Sequence, residues 1–225
     1  MPTDAIINVN GDSVQILDVT LLLVTITLLP TLVVMMTSFT RYVVSLSFLR
    51  TAMGTQQTPP NMVLVGMALI LTLFTMTPAL DSIKTTAYDP YVAGEITQRE
   101  FFDRAQVPLK RFMLDNTEIG TVQLYCDMAG ETAPTTVEEL EQAVELPLLV
   151  IVPAFVTSEL KAAFWIGFLL YVPFLLIDVI VSSTLMSMGM IMLPPSMIST
   201  PFKILLFILL DGWSLLFSAL IQTVK

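Results

Sequence analysis

Seven charged residues interrupt long apolar stretches of the chain, where charge is costly. They are Arg41, Arg50, Glu159, Lys161, Asp178, Lys203 and Asp211. A charge at the centre of a bilayer costs roughly 2.5–3.5 kcal/mol on insertion scales, so such residues persist when they pair, line water or lie inside an assembly. Asp178 and Lys203 lie deep in apolar sequence with opposite signs, which predicts that they pair within one subunit or between neighbours. For Arg41, Arg50 and Lys161 the sequence leaves open whether they pair or extend from helix ends towards water.

A second candidate is a methionine-rich segment near the C-terminus. Five of the fourteen methionines fall within residues 186–197. Alternating thioethers can bind Cu(I), but no Cys or His is near, and ordinary apolar filling is the simpler interpretation. The sharper hypothesis is a flexible apolar constriction, because a glycine and a proline pair break the helix and leave Met190, Ile191 and Met192 on a loop. Irregular backbone at membrane depth is tolerated only inside protein or along a cavity.

The composition excludes several kinds of chemistry. The chain contains no histidine and one cysteine, Cys126, which rules out a histidine triad, a histidine metal site and an intrachain disulfide. Its nine glycines are at least ten residues apart, whereas phosphate-binding loops need clustered glycines. A net charge of -9 argues against nucleic-acid binding, which depends on neutralising phosphates. We therefore predict no cofactor, no metal and no catalytic residue.

The whole chain has 225 residues, of which 55% are apolar and only 13% are charged. A soluble domain with so few charges would have difficulty covering its surface, which indicates a protein embedded in a bilayer or in a larger assembly. Thirteen acidic and five basic residues lie within 81–145, and both flanks are apolar. We predict a polar tail over 1–18, an apolar helical hairpin over 19–80, an acidic periplasmic helical segment over 81–145, and a second apolar block with the methionine loop over 146–225.

The apolar periodicity predicts helices in all three larger parts. Residues 19–40 are uncharged and long enough to span hydrocarbon, with a kink at Pro30, and the helical pattern continues to Arg50. Prolines at 59–60 separate this helix from a second uncharged stretch, 62–80. Hydropathy predicts about four membrane spans in the chain. No signal peptide is evident, and whether one was removed from this form of the chain stays open.

Three local patterns predict further detail. The acidic segment is expected to form two short helices, one of them restarted by Pro108. A capping box at Thr135 and Glu138 is expected to begin the other. Small residues at Ala163 and Gly167, four apart, predict close packing between helices.

Ordered motifs along nearly the whole chain resemble the FliP/SctR family, whose members are core components of the flagellar and virulence type III secretion export gates. In the second half the motifs are PAFVTSELK at 153–161, PFLLIDVIVS at 173–182, PFK at 201–203 and DGW at 211–213. In the first half they are MMTSFTR at 35–41, PPN at 59–61 and PLKRFM at 108–113. The long acidic middle is more similar to the flagellar branch than to the virulence branch.

The resemblance implies a non-enzymatic, channel-forming subunit that conducts unfolded flagellar proteins across the bacterial inner membrane. The implied fold is an all-α, membrane-associated one, with bent helical hairpins and a small polar helical insertion, assembling into a pentameric ring. The implied partners are FliQ-type and FliR-type gate subunits, other membrane proteins of the export apparatus, unfolded export substrates and membrane lipid. The assembly would lie in the flagellar basal body, with much of it on the periplasmic side.

The resemblance also assigns site residues. The family's methionine gasket falls on Met190, Ile191 and Met192, and the central residue here is a stiffer, β-branched isoleucine. The family's buried acid and base positions fall on Glu159, Asp178 and Lys203. All three belong to the set of charged residues that interrupt the apolar stretches.

The alternative from a different class is a secondary transporter for a small solute. Its proton-relay groups would be Asp178 and Glu159, since broken helices and intramembrane acids are typical of such carriers. The chain has no evident internal repeat and about four apolar segments, which is few for a carrier that alternates access alone. An intramembrane enzyme is disfavoured, because no histidine is present to act as a base.

Overall fold

The computed structural model describes residues 6–9, 12–55, 57–190 and 192–224, so residues 1–5, 10 and 11 of the predicted tail lie outside it. The first described elements are two antiparallel strands, β1 (Ile6–Val9) and β2 (Asp12–Gln15). This strand pair is not among the predicted elements. Every other regular element in the described ranges is helical, which confirms the predicted helical fold class.

The first apolar part forms three helices: α1 (Ile16–Met35), α2 (Phe39–Ala52) and α3 (Asn61–Ile83). The prediction of one helix continuing to Arg50 is wrong at residues 36–38, where α1 ends. Thr37 Oγ1 donates to the carbonyl oxygen of Val34 at 2.7 Å, and such side-chain bonds compete with the regular helical pattern. After the proline pair, α3 continues through a π-helical turn (Lys84–Tyr88) into α4 (Asp89–Val92).

After the π-helical turn and α4, the acidic segment forms three further helices where two are predicted: α5 (Gln98–Asp115), α6 (Ile119–Ala129) and α7 (Val137–Gln142), followed by a 3-10 turn (Ala143–Glu145). Helix α5 runs through Pro108 without restarting. The predicted cap of α7 is wrong by one residue, because Thr136 accepts the backbone N–H of Glu139.

The second apolar block contains α8 (Leu148–Ser187), α9 (Pro195–Leu209) and α10 (Gly212–Gln222). In the described part of the chain, two helices are long and apolar enough to cross a membrane: Asn61–Val92 and Leu148–Ser187. Helices α9 and α10, bent by 69° to each other, would make a third span together. Among the described residues there are therefore two or three candidate spans, against the predicted four or so, and Val19–Leu32 within α1 is a further, shorter apolar stretch.

Helix α8 is a central packing element, since α2, α5, α6 and α9 all contact it. One hydrophobic cluster surrounds Tyr42 and Leu46 of α2, and a second surrounds Met113 of α5 and Phe155 of α8. The remaining apolar side chains of α8, such as Trp165, are largely exposed in this single chain. Apolar surface of this extent indicates contact with lipid or with other protein.

Helices α2 and α8 approach closely at Gly167. A Cβ atom at this position would lie 2.5 Å from Cγ of Phe48, so only glycine leaves room for the phenyl ring. Ala163, one turn earlier, is completely buried. The predicted close packing at these two small residues is confirmed.

Candidate functional site

Arg41 on α2 and Glu159 on α8 form a buried ion pair. Arg41 Nε donates to Glu159 Oε2 at 2.9 Å, and Nη2 donates to Oε1, so the guanidinium binds both carboxylate oxygens. Its remaining nitrogen, Nη1, donates to the carbonyl oxygen of Thr223, just after α10. The two side chains are 4% and 0% exposed. This bidentate geometry is a strong form of ionic hydrogen bonding, and it joins α2, α8 and the C-terminal segment.

The sequence places both residues among the embedded charges but does not predict that they meet. The opposite charges of Arg41 and Glu159 were the available hint. Two other embedded acids, Asp178 and Asp211, carry the same charge as Glu159, so the sequence did not single out one partner for Arg41. The structure shows Arg41 buried and paired, not extended towards water. The pair also explains why α8 continues through Glu159, since a paired carboxylate can be buried where a lone one could not.

Asp178 on α8 and Lys203 on α9 meet within one chain, which is the intrachain form of the predicted pairing. Lys203 Nζ lies 2.6 Å from Asp178 Oδ2, and Ser199 Oγ donates to Asp178 Oδ1 at 2.6 Å. Lys203 Nζ also donates to the carbonyl oxygen of Ala52, the last residue of α2, at 3.1 Å. A cation is favourable at this negative end of a helix. Ser199, which is fully buried, is a member of the site that the sequence does not reveal.

Of the other embedded charges, Arg50 and Asp211 lie near helix ends, and Lys161 lies within α8 on an exposed face. Lys161 pairs with Glu118 at the start of α6, and the two side chains are 65% and 54% exposed. Arg50 Nη1 donates to Asn61 Oδ1 at 3.0 Å, across the loop between α2 and α3. Asp211 precedes α10 with a left-handed backbone, at φ 48°. These residues therefore reach water or a polar loop, unlike the two buried pairs.

The methionine segment joins α8 to α9 outside regular secondary structure. Helix α8 ends at Ser187, and Gly189 follows with φ 76°, which glycine adopts without steric cost. Met190 is 42% exposed and Met192 is 99% exposed, while Ile191 lies outside the described residues. The thioethers therefore lie on an irregular turn between two helices. Their role as a constriction stays a prediction.

Two threonine–glutamate pairs order the acidic segment. Thr97 and Glu100 form a reciprocal capping box at the start of α5, in which Glu100 Oε2 accepts the Thr97 N–H at 2.8 Å. Glu139 Oε2 accepts the Thr135 N–H at 2.7 Å beside α7. Because hydrogen bonds from backbone N–H groups stabilise the ionised form, they lower the pKa of both glutamates below its ordinary value.

The fold and the site define a helical, membrane-associated protein in which ion pairs between side chains join the helices. In the described ranges, no cluster of three or more His, Cys, Asp or Glu side chains could hold a metal ion. The family model described as the FliP family matches residues 22–220. The chain belongs to this family.

Individual relatives match over almost the whole chain. The flagellar biosynthetic protein FliP of Aquifex aeolicus (strain VF5) is 45% identical over 212 residues, which cover 94% of this chain and 86% of that protein. The protein of the same name from Bacillus subtilis (strain 168) is 46% identical, over 90% of this chain and 89% of its own length. That of Pectobacterium carotovorum is 45% identical, over 90% of this chain and 76% of its own length.

Proposed function

We propose that the chain is a core channel-forming subunit of a flagellar protein export gate, which conducts unfolded flagellar proteins across the bacterial inner membrane. The observation that carries the proposal is the FliP family match over residues 22–220, with 45–46% identity to the three flagellar biosynthetic proteins above. The energy source for export would lie in other components, since the sequence has no phosphate-binding loop.

The proposed assembly is a ring of five copies with FliQ-type and FliR-type subunits. The exposed apolar faces of α8, α9 and α10 support this, because a single chain leaves them uncovered. In the ring, neighbouring subunits and membrane lipid would cover these faces. We place the acidic segment, 81–145, on the periplasmic side, where its charges meet water.

Met190, Ile191 and Met192 are proposed to line the constriction of the ring. Five copies of a loop with flexible thioethers would close around an empty pore and yield to varied passengers. Glu159, Asp178 and Lys203 are proposed to hold the helices that position this loop. The Asp178 side chain is 34% exposed, which leaves it able to contact a neighbouring subunit as well.

The transporter alternative is less well supported by the contacts. A proton relay needs acids that gain and release protons during transport. Glu159 is bound by Arg41 through two hydrogen bonds, and Asp178 is bound by Lys203 and Ser199. These contacts favour a structural role for both acids.

The test is to express the chain with FliQ-type and FliR-type partners from its own genome, purify the complex in mild detergent and determine its mass. Five copies together with the small partners are expected, and the same chain should restore motility to a strain that lacks it. A monomer or dimer that moves a small solute into liposomes would contradict the proposal.

A further inference from the structure

Charge is unevenly divided within the acidic segment. All five of its basic residues lie in 81–115, whereas residues 116–145 contain seven acids and no base. The first part comprises the end of α3, the π-helical turn, α4 and α5, and the second comprises α6, α7 and the 3-10 turn. The segment therefore has one part that carries every cation and another that is purely acidic.

The cationic part forms a groove between α3 and α5. Arg104 and Arg111 line this groove, and both are exposed. Neither arginine forms a salt bridge with another residue in the part of the chain that the structure describes. Pro78 and Val107 contribute apolar walls, and Asp115 contributes one acid. With two cations, one anion and apolar walls, the groove suits a surface that is both acidic and apolar.

The acidic part offers a surface of that kind. Glu131, Glu139 and Glu145 are exposed and line a second groove, between the end of α6, α7 and the 3-10 turn. None of the three forms a salt bridge within the described ranges. Leu149, four residues after Glu145, is 83% exposed. We call this surface the acidic face.

The arginine groove and the acidic face lie on different sides of α5. Lys110 Nζ donates to the carbonyl oxygen of Val144 at 3.1 Å, which places the 3-10 turn beside Lys110. At 3.6 residues per turn, Lys110 lies about 110° around the helix axis from Arg104 and Arg111. A buried cluster that includes Met76 of α3, Phe112 of α5 and Phe155 of α8 fixes the helices in place. The two surfaces therefore cannot meet within one chain.

We propose that the arginine groove of one copy binds the acidic face of the next copy around the ring. This inference rests on the proposed function, and it names the faces that meet. In a closed ring of more than two copies, each contact joins two different faces of the chain. Complementary charge selects one pairing and disfavours others, since an acidic face against another acidic face would place like charges together. The exposed apolar side chains on both surfaces would be covered by the same contact.

Charge reversal in the assembled complex tests the proposal. The chain is purified with its FliQ-type and FliR-type partners in mild detergent, and native mass spectrometry counts the copies. R104E/R111E and E131K/E145K should each lower the share of five-copy assemblies by about tenfold, because like charges then face each other. The combined variant R104E/R111E/E131K/E145K reverses both surfaces, restores their attraction and should recover most of the assembly.

The matched control is K84E/R99E. It changes the net charge by the same amount as R104E/R111E, at exposed residues of the same segment that do not line the groove. It should assemble as the unaltered chain does. Circular dichroism checks that each variant keeps its helices. Should the reversals fail to fold, R104Q/R111Q and E131Q/E145Q remove the attraction without adding repulsion, and both should weaken assembly.

Three results would overturn the proposal. One is assembly of R104E/R111E, or of the glutamine variants, that equals the control. Another is a combined variant no better than the worse of its two parents. The third is an E131K/E145K complex that keeps five copies but loses its smaller partners, which would assign the acidic face to a partner. Failure of the proposed gate gives a different result, because the unaltered chain would then form no five-copy assembly at all.

Discussion

Arg41 and Glu159 lie 118 residues apart in the sequence and form a fully buried, bidentate ion pair between α2 and α8. The same guanidinium reaches the carbonyl oxygen of Thr223, so one side chain connects three segments. A shift of α2 by one turn along α8 would leave two buried charges without partners, which is strongly unfavourable. The pair therefore determines how the two halves of the chain fit together.

Replacing Glu159 with Gln should lower the free energy of unfolding by about 3–5 kcal/mol, because the Arg41 guanidinium would stay buried without its counter-charge. Denaturant unfolding of the chain in detergent, followed by circular dichroism, measures this loss. The matched control is E118Q, which breaks the exposed pair with Lys161 and should cost no more than about 1 kcal/mol. Equal losses in the two variants would show that the buried pair does not determine stability.

Reversing either charge of the Asp178–Lys203 pair should destabilise the chain, and exchanging the two residues should partly restore stability. D178K and K203D each place like charges in contact, so each should reduce stability and motility. The double variant D178K/K203D should recover part of the loss. Recovery should be incomplete, because the exchanged side chains no longer match Ser199 Oγ and the carbonyl oxygen of Ala52. A double variant as impaired as the worse single variant would argue against direct pairing.

Removing the thioethers from the loop should open the proposed seal. M190A/M192A, assembled with the FliQ-type and FliR-type partners, should increase ion leak across the membrane, because the constriction loses the side chains that close it. Conductance of the reconstituted assembly measures the leak. The matched control is M197A, which shortens an exposed methionine of α9 outside the loop. An unchanged conductance in M190A/M192A would assign the seal to other residues.

The capping box predicts acid sensitivity in the acidic segment. The pKa of Glu100 is lower in the folded chain than in the unfolded one, because Thr97 donates its N–H and hydroxyl to the carboxylate. Such a group adds stability above its unfolded pKa, about 4.3, and this contribution is lost as the pH falls through the folded pKa. E100Q should therefore reduce the loss of α5 stability on acidification, measured by thermal unfolding at a series of acidic pH values. The control is E95Q, which removes an exposed acid that precedes the helix and lies outside the capping box; an equal effect in E95Q would show that the capping box is not the cause.

Local chemistry made several features predictable from the sequence. The proline pair at 59–60 marks the start of α3, and Gly189 with the prolines at 194–195 marks the loop between α8 and α9. Opposite charge in deep apolar sequence pointed to the contact of Asp178 with Lys203. Each of these depends on residue types that are close in sequence or rare in their surroundings.

Other features depend on partners that a linear pattern does not specify. Helix α8 continues through Glu159 because Arg41, which is far away in sequence, pairs with its buried carboxylate. The cap of α7 was ambiguous because Thr135 and Thr136 are both followed by a glutamate three residues later. In the structure the backbone N–H of Glu139 donates to the Thr136 hydroxyl, so Thr136 is the cap. The number of membrane spans is another such feature, because α9 and α10 are long enough to make a span only as a pair bent by 69°, which an apolar run does not show.

The close contact at Gly167 should not tolerate a methyl group. In G167A the new Cβ would lie 2.5 Å from the Phe48 ring, which is held edge-to-face against Phe164. Phe48 or α8 must then move, at a cost of about 1–3 kcal/mol as in other overpacked cores. The matched control is G66A on α3, where nothing lies within 4 Å of the added Cβ. Since alanine favours helix over glycine by roughly 0.5–1 kcal/mol, G66A should be neutral or stabilising. Thermal unfolding of the two variants side by side decides the point: if G167A is as stable as G66A, the small residue at 167 is not what sets the approach of α2 to α8.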